Sequence, residues 1–244
     1  LKYRQILYTN YHTTQSGRAS GVDAKSLFQR EKRQFQREIL PLLTLKKDAG
    51  IFDLGCGSGS LLKMLQENGF TNAMGMDISE EQVNVAHAFG VANVELGDAL
   101  NYIKSQQQKF DLITGMDIIE HFTKDELVEL LQAVRHALKP GGKALFRTPN
   151  LDAAMSTVFA NGDFTHENYM NASSARQVCM ACGFSEVKAH SSVLFIENAA
   201  KEFLRKCVWS ILKFRMKLIL FATARSSRDV LFTPNMIIEA RVTQ

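Results

Sequence analysis

Between residues 50 and 150 apolar and polar positions follow a repeating order: a short apolar run, a turn, then a longer stretch with apolar residues three or four apart. The runs at 51–54 (IFDL), 72–77 (NAMGMD), 92–97 (ANVELG), 110–116 (FDLITGM) and 143–148 (KALFRT) predict strands. Helices are predicted over 59–68, closed by Asn68 and Gly69, and from Ser79, which stands at capping-box spacing from Gln82. A third is predicted where Leu127, Leu130, Leu131, Val134 and Leu138 share one face, ended by Pro140, Gly141 and Gly142. Strands separated by helices predict an α/β fold, a parallel sheet with helices on both faces. A helix at 173–182, a strand at 185–195 and a final strand at 235–242 complete the pattern.

The flanks differ. Residues 1–22 are rich in Tyr, Thr, Ser and Gly and predict an irregular arm. Residues 23–40 carry strong helix formers with widely spaced Leu27, Phe28, Phe35, Ile39 and Leu40, which predicts a charged, mostly exposed helix ending before Pro41. The resulting division is an N-terminal arm and helix (1–44) acting as a lid, a core (45–196 and 230–244) and a basic helical insertion (197–229).

Bulk numbers change this little. The 244 residues are 45% hydrophobic and 22% charged, enough for one sizeable core. The net charge of +4 does not argue for nucleic acid. The polar, aromatic start shows no secretory signal pattern, and no long uncharged apolar run predicts a membrane span. The four cysteines include one CxxC, Cys179 and Cys182, without further ligands at close spacing; a buried helix turn in a reducing, cytoplasmic setting is expected.

The chemistry begins at IFDLGCGSGS, residues 51–60. A strand, a glycine turn and a helix bring backbone N–H groups and a helix N-terminus towards a ligand. A P-loop needs Gly-Lys-Ser/Thr; here Gly59 is followed by Ser60 and Leu61, so no triphosphate cradle is present. In a dinucleotide GxGxxG the third glycine falls one residue later than Gly59. An acid two residues before GxGxG, as in Asp53-Leu54-Gly55-Cys56-Gly57-Ser58-Gly59, resembles motif I of class I S-adenosylmethionine-dependent methyltransferases. The strands also end in acids in succession: Asp53, Asp77, Asp98 and Asp117. Ligands of such sheets bind beyond the carboxyl ends of the strands.

The resemblance covers about residues 45–190 and the last strand. It implies a Rossmann-like seven-stranded sheet, mostly parallel with the last strand antiparallel, and S-adenosylmethionine as cofactor. It also implies that Asp77 holds the ribose hydroxyls, which suit a carboxylate acceptor, and that Asp98 accepts from the adenine amine. Gly55 and Gly57 are expected against the cofactor's amino acid end, with Asp53 orienting the turn. Cys56, Ile78, Ala99 and Met116 are expected as further cofactor contacts. From the arm, the resemblance suggests Tyr11, with Tyr8 nearly as good, and Arg18.

The segment after the fourth strand bears on the acceptor. Met116-Asp117-Ile118-Ile119-Glu120-His121 lacks the Asp/Asn-Pro-Pro-Tyr/Phe of adenine methyltransferases, and no Pro-Cys nucleophile for cytosine occurs. Asp117-x-x-Glu120-His121 resembles the D-x-x-E-H of small-molecule and sugar methyltransferases, including the ubiquinone-pathway type. It implies His121 as a general base of near-neutral pKa. His166 is the second candidate, and Asp117 or Glu120 would orient either imidazole. No metal is expected.

Residues 199–228 carry eight cations, one acid (Glu202) and many large apolar side chains including Trp209. Two readings stand: a helix at an anionic membrane surface, or helices packed on the sheet or in a homodimer with their cations snorkelling. The insertion, ahead of Leu231-Phe232-Thr233-Pro234-Asn235, resembles methyltransferases of bacterial O-antigen and capsule synthesis. That implies a sugar hydroxyl of a cell-surface polysaccharide or its precursor as acceptor, with a location peripheral to the inner membrane. The rivals are a lipophilic quinone-pathway phenol and a scaffold that binds cofactor without turnover.

Overall fold

The computed structural model describes residues 2–8 and 23–243. Seven strands form one sheet: β1 (Ile51–Leu54), β2 (Ala73–Asp77), β3 (Val94–Leu96), β4 (Phe110–Met116), β5 (Leu138–Pro149), β6 (Glu186–Ser191) and β7 (Asn235–Arg241). Their order is β3-β2-β1-β4-β5-β7-β6. β1 to β5 are mutually parallel, and β7 runs antiparallel between β5 and β6. The Rossmann-like α/β expectation, with its antiparallel last strand, is therefore met.

Successive strand residues face opposite sides, and the core divides accordingly. Phe52, Ile113 and Ile238 join one cluster, with Leu127, Leu130 and Val134 of α6 (Lys124–Ala137). Ile51, Leu112 and Ile237 join the other, with Leu61, Leu62 and Leu65 of α3 (Ser60–Glu67). Chain-local signals set the helix starts. Thr123 and Glu126 form a capping box before α6, and Asn171 and Ser174 form one before α8 (Ala172–Ala181). Ser79 accepts from the Gln82 backbone at the head of α4 (Glu80–Ala88), so the Ser79 half of the expected box is present.

Several expectations need correction. The arm opens with a helix, α1 (Lys2–Tyr8), where the sequence suggested irregular chain. Helix α2 (Ala24–Glu38) is capped by Asp23 but is not mostly exposed. Phe28 and Phe35, seven residues apart, lie on one face and are buried in the core against α3. Two apolar anchors in fifteen residues are a weak periodic signal among so many charges. Two short helices, α5 (Ala99–Lys104) and α7 (Ser156–Ala160), escape the sequence pattern because neither is long enough to repeat a period. The insertion is a single helix, α9 (Ala199–Ala222), none of whose residues is buried. A helix pair packed on the sheet is excluded.

Candidate active site

The carboxyl ends of β1 to β4 open into a cavity of about 890 Å³. Asp53, Gly55, Cys56, Gly57, Asp77, Ile78, Asp98, Ala99, Met116, Asp117 and His121 all line it. Eleven positions drawn from four strand ends thus converge on one space. Tyr11 and Arg18 lie outside the described residues.

The register explains the floor. Asp53 on β1 pairs with Thr114 on β4, and the Thr114 hydroxyl donates to Asp53 Oδ1 at 2.7 Å. Burial pushes the Asp53 carboxyl up to about 7. Asp77 ties the turn down: its Oδ2 accepts from Gly57 N–H at 2.8 Å and its Oδ1 from Ser79 N–H at 2.8 Å. Burial raises its pKa as well. An ionised carboxylate has about four acceptor sites, so capacity remains for a diol. Asp98 is an exposed cap for α5, accepting from the backbones of Leu100 and Asn101 and from the Asn101 side chain.

The three glycines serve different needs. All have positive φ: +60° at Gly55, +52° at Gly57 and +74° at Gly59. A Cβ at Gly55 would strike Ile118 Cδ1, and one at Gly59 would crowd Val91 at 3.1 Å. Only Gly57 has nothing within 4 Å. Gly55 makes room for Ile118 of its own chain while still lining the cavity. At Gly57 the free space lies beside the backbone that Asp77 anchors, which fits a cofactor lying close to the turn.

Around the DxxEH segment the expected partners are exchanged. Asp117, at φ +53°, is gripped at both oxygens by Arg147, at 3.0 Å from Nε and 2.6 Å from Nη2. Glu120 is 1% exposed and accepts from the Thr148 hydroxyl at 3.1 Å; burial drives its pKa well above the usual carboxylate range. Asp117 and Glu120 are thus committed to Arg147 and Thr148. The imidazole of His121 is oriented through its Nδ1, 2.9 Å from Thr165 Oγ1, and that hydroxyl donates to Asp163 Oδ1 at 2.6 Å. With its one proton directed to Asp163, Thr165 can only accept from His121, so Nδ1 carries the hydrogen and Nε2 the lone pair. Burial first, then the charge of His166, lower the His121 pKa to about 4, well below the near-neutral value expected.

His166 does not line the cavity. Its ring centroid lies 4.8 Å from that of His121, edge to face, and its Nδ1 bonds the Ala160 carbonyl at 2.7 Å. Glu120, His121 and His166 bring three ligand atoms within 4.8 Å of one another, a trio able to hold a cation. Sequence spacing did not suggest it, because His166 arrives 45 residues after His121.

Two helices supply site residues that the sequence reading missed. Arg4 of α1 forms a bidentate pair with Glu126 at 2.7 and 2.8 Å and donates to the His121 carbonyl at 2.8 Å. Tyr3 donates to Glu167. Glu31 of α2 lines the cavity and accepts from the Ser60 hydroxyl at 2.9 Å. Nothing local in the sequence marks Arg4. The Glu31 signal is its place on the face of α2 one turn from Phe28.

This is the fold of class I S-adenosylmethionine-dependent methyltransferases. Residues 27–189 match the family model described as "Methyltransferase domain", and the chain belongs to that family. A ubiquinone biosynthesis O-methyltransferase of Hydrogenovibrio crunogenus is 27% identical over 139 residues, covering 50% of this chain and 56% of that protein. The one from Shewanella pealeana is 31% identical over 118 residues, covering 44% and 48%. The chain spans about half the length of these curated relatives. Among solved structures, a SAM-dependent methyltransferase from Archaeoglobus fulgidus superposes with TM-score 0.66 at 21% identity, covering 88% of this chain and 94% of that one. Phosphoethanolamine N-methyltransferase 2 of Haemonchus contortus, solved with S-adenosyl-L-methionine, superposes at 0.62 with 18% identity, covering 97% and 60%. The fold is shared across these chains.

Proposed function

We propose that the protein is an S-adenosylmethionine-dependent O-methyltransferase whose acceptor is a phenolic hydroxyl on a lipophilic small molecule. The observation that carries the reading is the placement of His121: its Nδ1 is 2.9 Å from a Thr165 hydroxyl that donates to Asp163, and the residue stands on the wall of the cavity that holds the glycine turn.

The bound cofactor supplies a methyl group on a sulfonium, open to in-line displacement. Asp77 would accept from the ribose hydroxyls with its remaining lone pairs, and Asp98 would accept from the adenine amine. Ile78, 67% exposed and lining the same cavity, would offer an apolar surface to the adenine. Gly57 offers the open approach, and Asp53 holds the turn from beneath. Cys56, Ala99 and Met116 complete the wall. His121 takes the hydroxyl proton at Nε2 as the oxygen attacks, and Thr165 keeps the ring from turning. Asp117, locked to Arg147, shapes the wall beside it.

The depressed basicity of His121 favours a phenol over a sugar. A base of pKa about 4 faces a gap of roughly 6 units to a phenol near 10. An aliphatic hydroxyl, close to water at about 15.7, roughly doubles that gap. The ubiquinone-pathway names of the curated relatives point the same way. The test offers the protein a catechol and a hexose-terminated glycan together with S-adenosylmethionine, and identifies products by mass. A methylated catechol is expected; a methylated glycan with untouched catechol overturns the acceptor class.

A lipophilic acceptor is met at a membrane surface, and an inner-membrane peripheral location belongs to this same proposal.

A further inference from the structure

Helix α9 takes no part in the methyl-transfer site. Its 24 residues span about 36 Å. Its half-buried residues, Glu202, Arg205, Trp209, Met216 and Leu220, recur at helical spacing and mark the side turned to the body. Even there the seat is loose: a cavity of about 320 Å³ lies under the helix, between Arg205, Trp209 and Lys213 and the loops at Ser192 and Thr233.

With Trp209 facing the body, roughly 100° per residue puts Leu204, Ile211, Phe214 and Leu218 within about 40° of the opposite, outward direction. They are 63%, 62%, 61% and 48% exposed. Phe203, Phe221, Val208 and Ile219 widen this arc on both sides. An outward apolar stripe of this length marks an interaction surface. No helix among the described residues is long and apolar enough to cross a membrane.

We propose that α9 docks on an anionic phospholipid surface, lying along it with the outward arc at the headgroup–acyl boundary. Charge decides the occupant. Residues 199–228 carry eight cations against Glu202 alone. A second copy would bring like charge onto like charge, and Lys is depleted from protein interfaces. A phosphate-bearing surface is complementary. Lys201 and Arg215, at the edge of the arc, reach the phosphates by snorkelling. Lys206, Lys213 and Lys217 form a second stripe near the body side and add long-range attraction. The proposed function supplies only the purpose, a lipophilic acceptor; the docking stands on the helix itself.

The test is sedimentation of the full chain with phosphatidylglycerol–phosphatidylcholine vesicles and with phosphatidylcholine alone. Binding to the anionic vesicles only is expected, weakened by salt. The exposed triple variant Ile211→Ser, Phe214→Ser, Leu218→Ser should lose about tenfold or more in partition. Lys206→Glu, Lys213→Glu, Lys217→Glu should lose at least as much. Equal binding to both vesicle types, or none, overturns the proposal. So does a dimer in light scattering that the serine variant dissociates while neither protein binds vesicles. Catechol methylation without vesicle binding sinks the docking and the peripheral location but not the acceptor reading; vesicle binding without catechol methylation sinks the acceptor reading alone.

Discussion

Thr165 sets the tautomer of His121. Its hydroxyl stands 2.9 Å from His121 Nδ1 and spends its proton on Asp163 Oδ1 at 2.6 Å, which leaves the imidazole lone pair at Nε2. Thr165→Val removes that acceptor while keeping the shape. We expect kcat to fall roughly tenfold, a fraction of what a general base contributes, with binding of S-adenosylhomocysteine unchanged. Thr165→Ser should restore most of the rate. A valine variant of unchanged kcat would show that the hydroxyl does not position the ring.

The pH profile should lack an ordinary imidazole limb. Burial and His166 hold His121 down to about 4, so the base is already neutral near pH 6. We expect kcat/KM to stay level through 6.5 and to fall only towards 4. His166→Ala removes the neighbouring charge and should move that limb upward. A limb at 6.5 in the parent protein would contradict the buried geometry.

Stability should respond to Asp53 with the opposite sign. Its folded pKa is raised to about 7, so the folded state binds a proton more tightly than the unfolded chain near 3.9. Its contribution is full below the unfolded value and is lost as pH rises through 7. Thermal melts between pH 5 and pH 8, both about one unit or more from the folded value, should show a decline that Asp53→Asn flattens. An equal slope in both proteins would remove Asp53 as its source.

Gly55 and Gly57 should separate stability from cofactor binding. Alanine at either meets a left-handed backbone, costing about 1–2 kcal/mol. At Gly55 it also strikes Ile118, while at Gly57 the space is open. Gly55→Ala should lower Tm more than Gly57→Ala, and Ile118→Val should recover part of that loss. Gly57→Ala should weaken S-adenosylhomocysteine binding, read by calorimetry. Unaltered affinity at Gly57 would place the cofactor elsewhere.

The Arg4–Glu126 pair ties α1 to the helix after the DxxEH segment, and Arg4 also reaches the His121 carbonyl. Both side chains are partly exposed, so the ion pair alone contributes about 1 kcal/mol or less. The larger effect of Arg4→Ala should be on acceptor KM, through loosening of the chain at His121. Arg4→Ala and Glu126→Ala should be non-additive in KM; strict additivity would mean the pair does not act as a unit.

The sheet was legible because each strand is a short apolar run ending in a turn, and the cofactor end because Asp53, Asp77, Asp98 and Asp117 each close one strand. What the sequence hid depends on folding at long range. Phe28 and Phe35 read as isolated apolar residues among charges until α3 lies against them. Thr165 and Asp163 gain meaning only when the chain after β5 returns to His121. Asp117 looked like a partner for a histidine, but Arg147, thirty residues on and in register with Met116 across the sheet, takes it first. The pKa of His121 follows from burial, which no local pattern reveals.

The central claim is that His121 removes the acceptor proton in a site that holds S-adenosylmethionine. The most direct measurement is single-turnover methyl transfer to a catechol by the parent protein and by His121→Ala, with cofactor affinity measured on both. The account predicts transfer by the parent, a loss of about 100-fold or more in the variant, and equal cofactor affinity. Full-rate transfer by His121→Ala would contradict it.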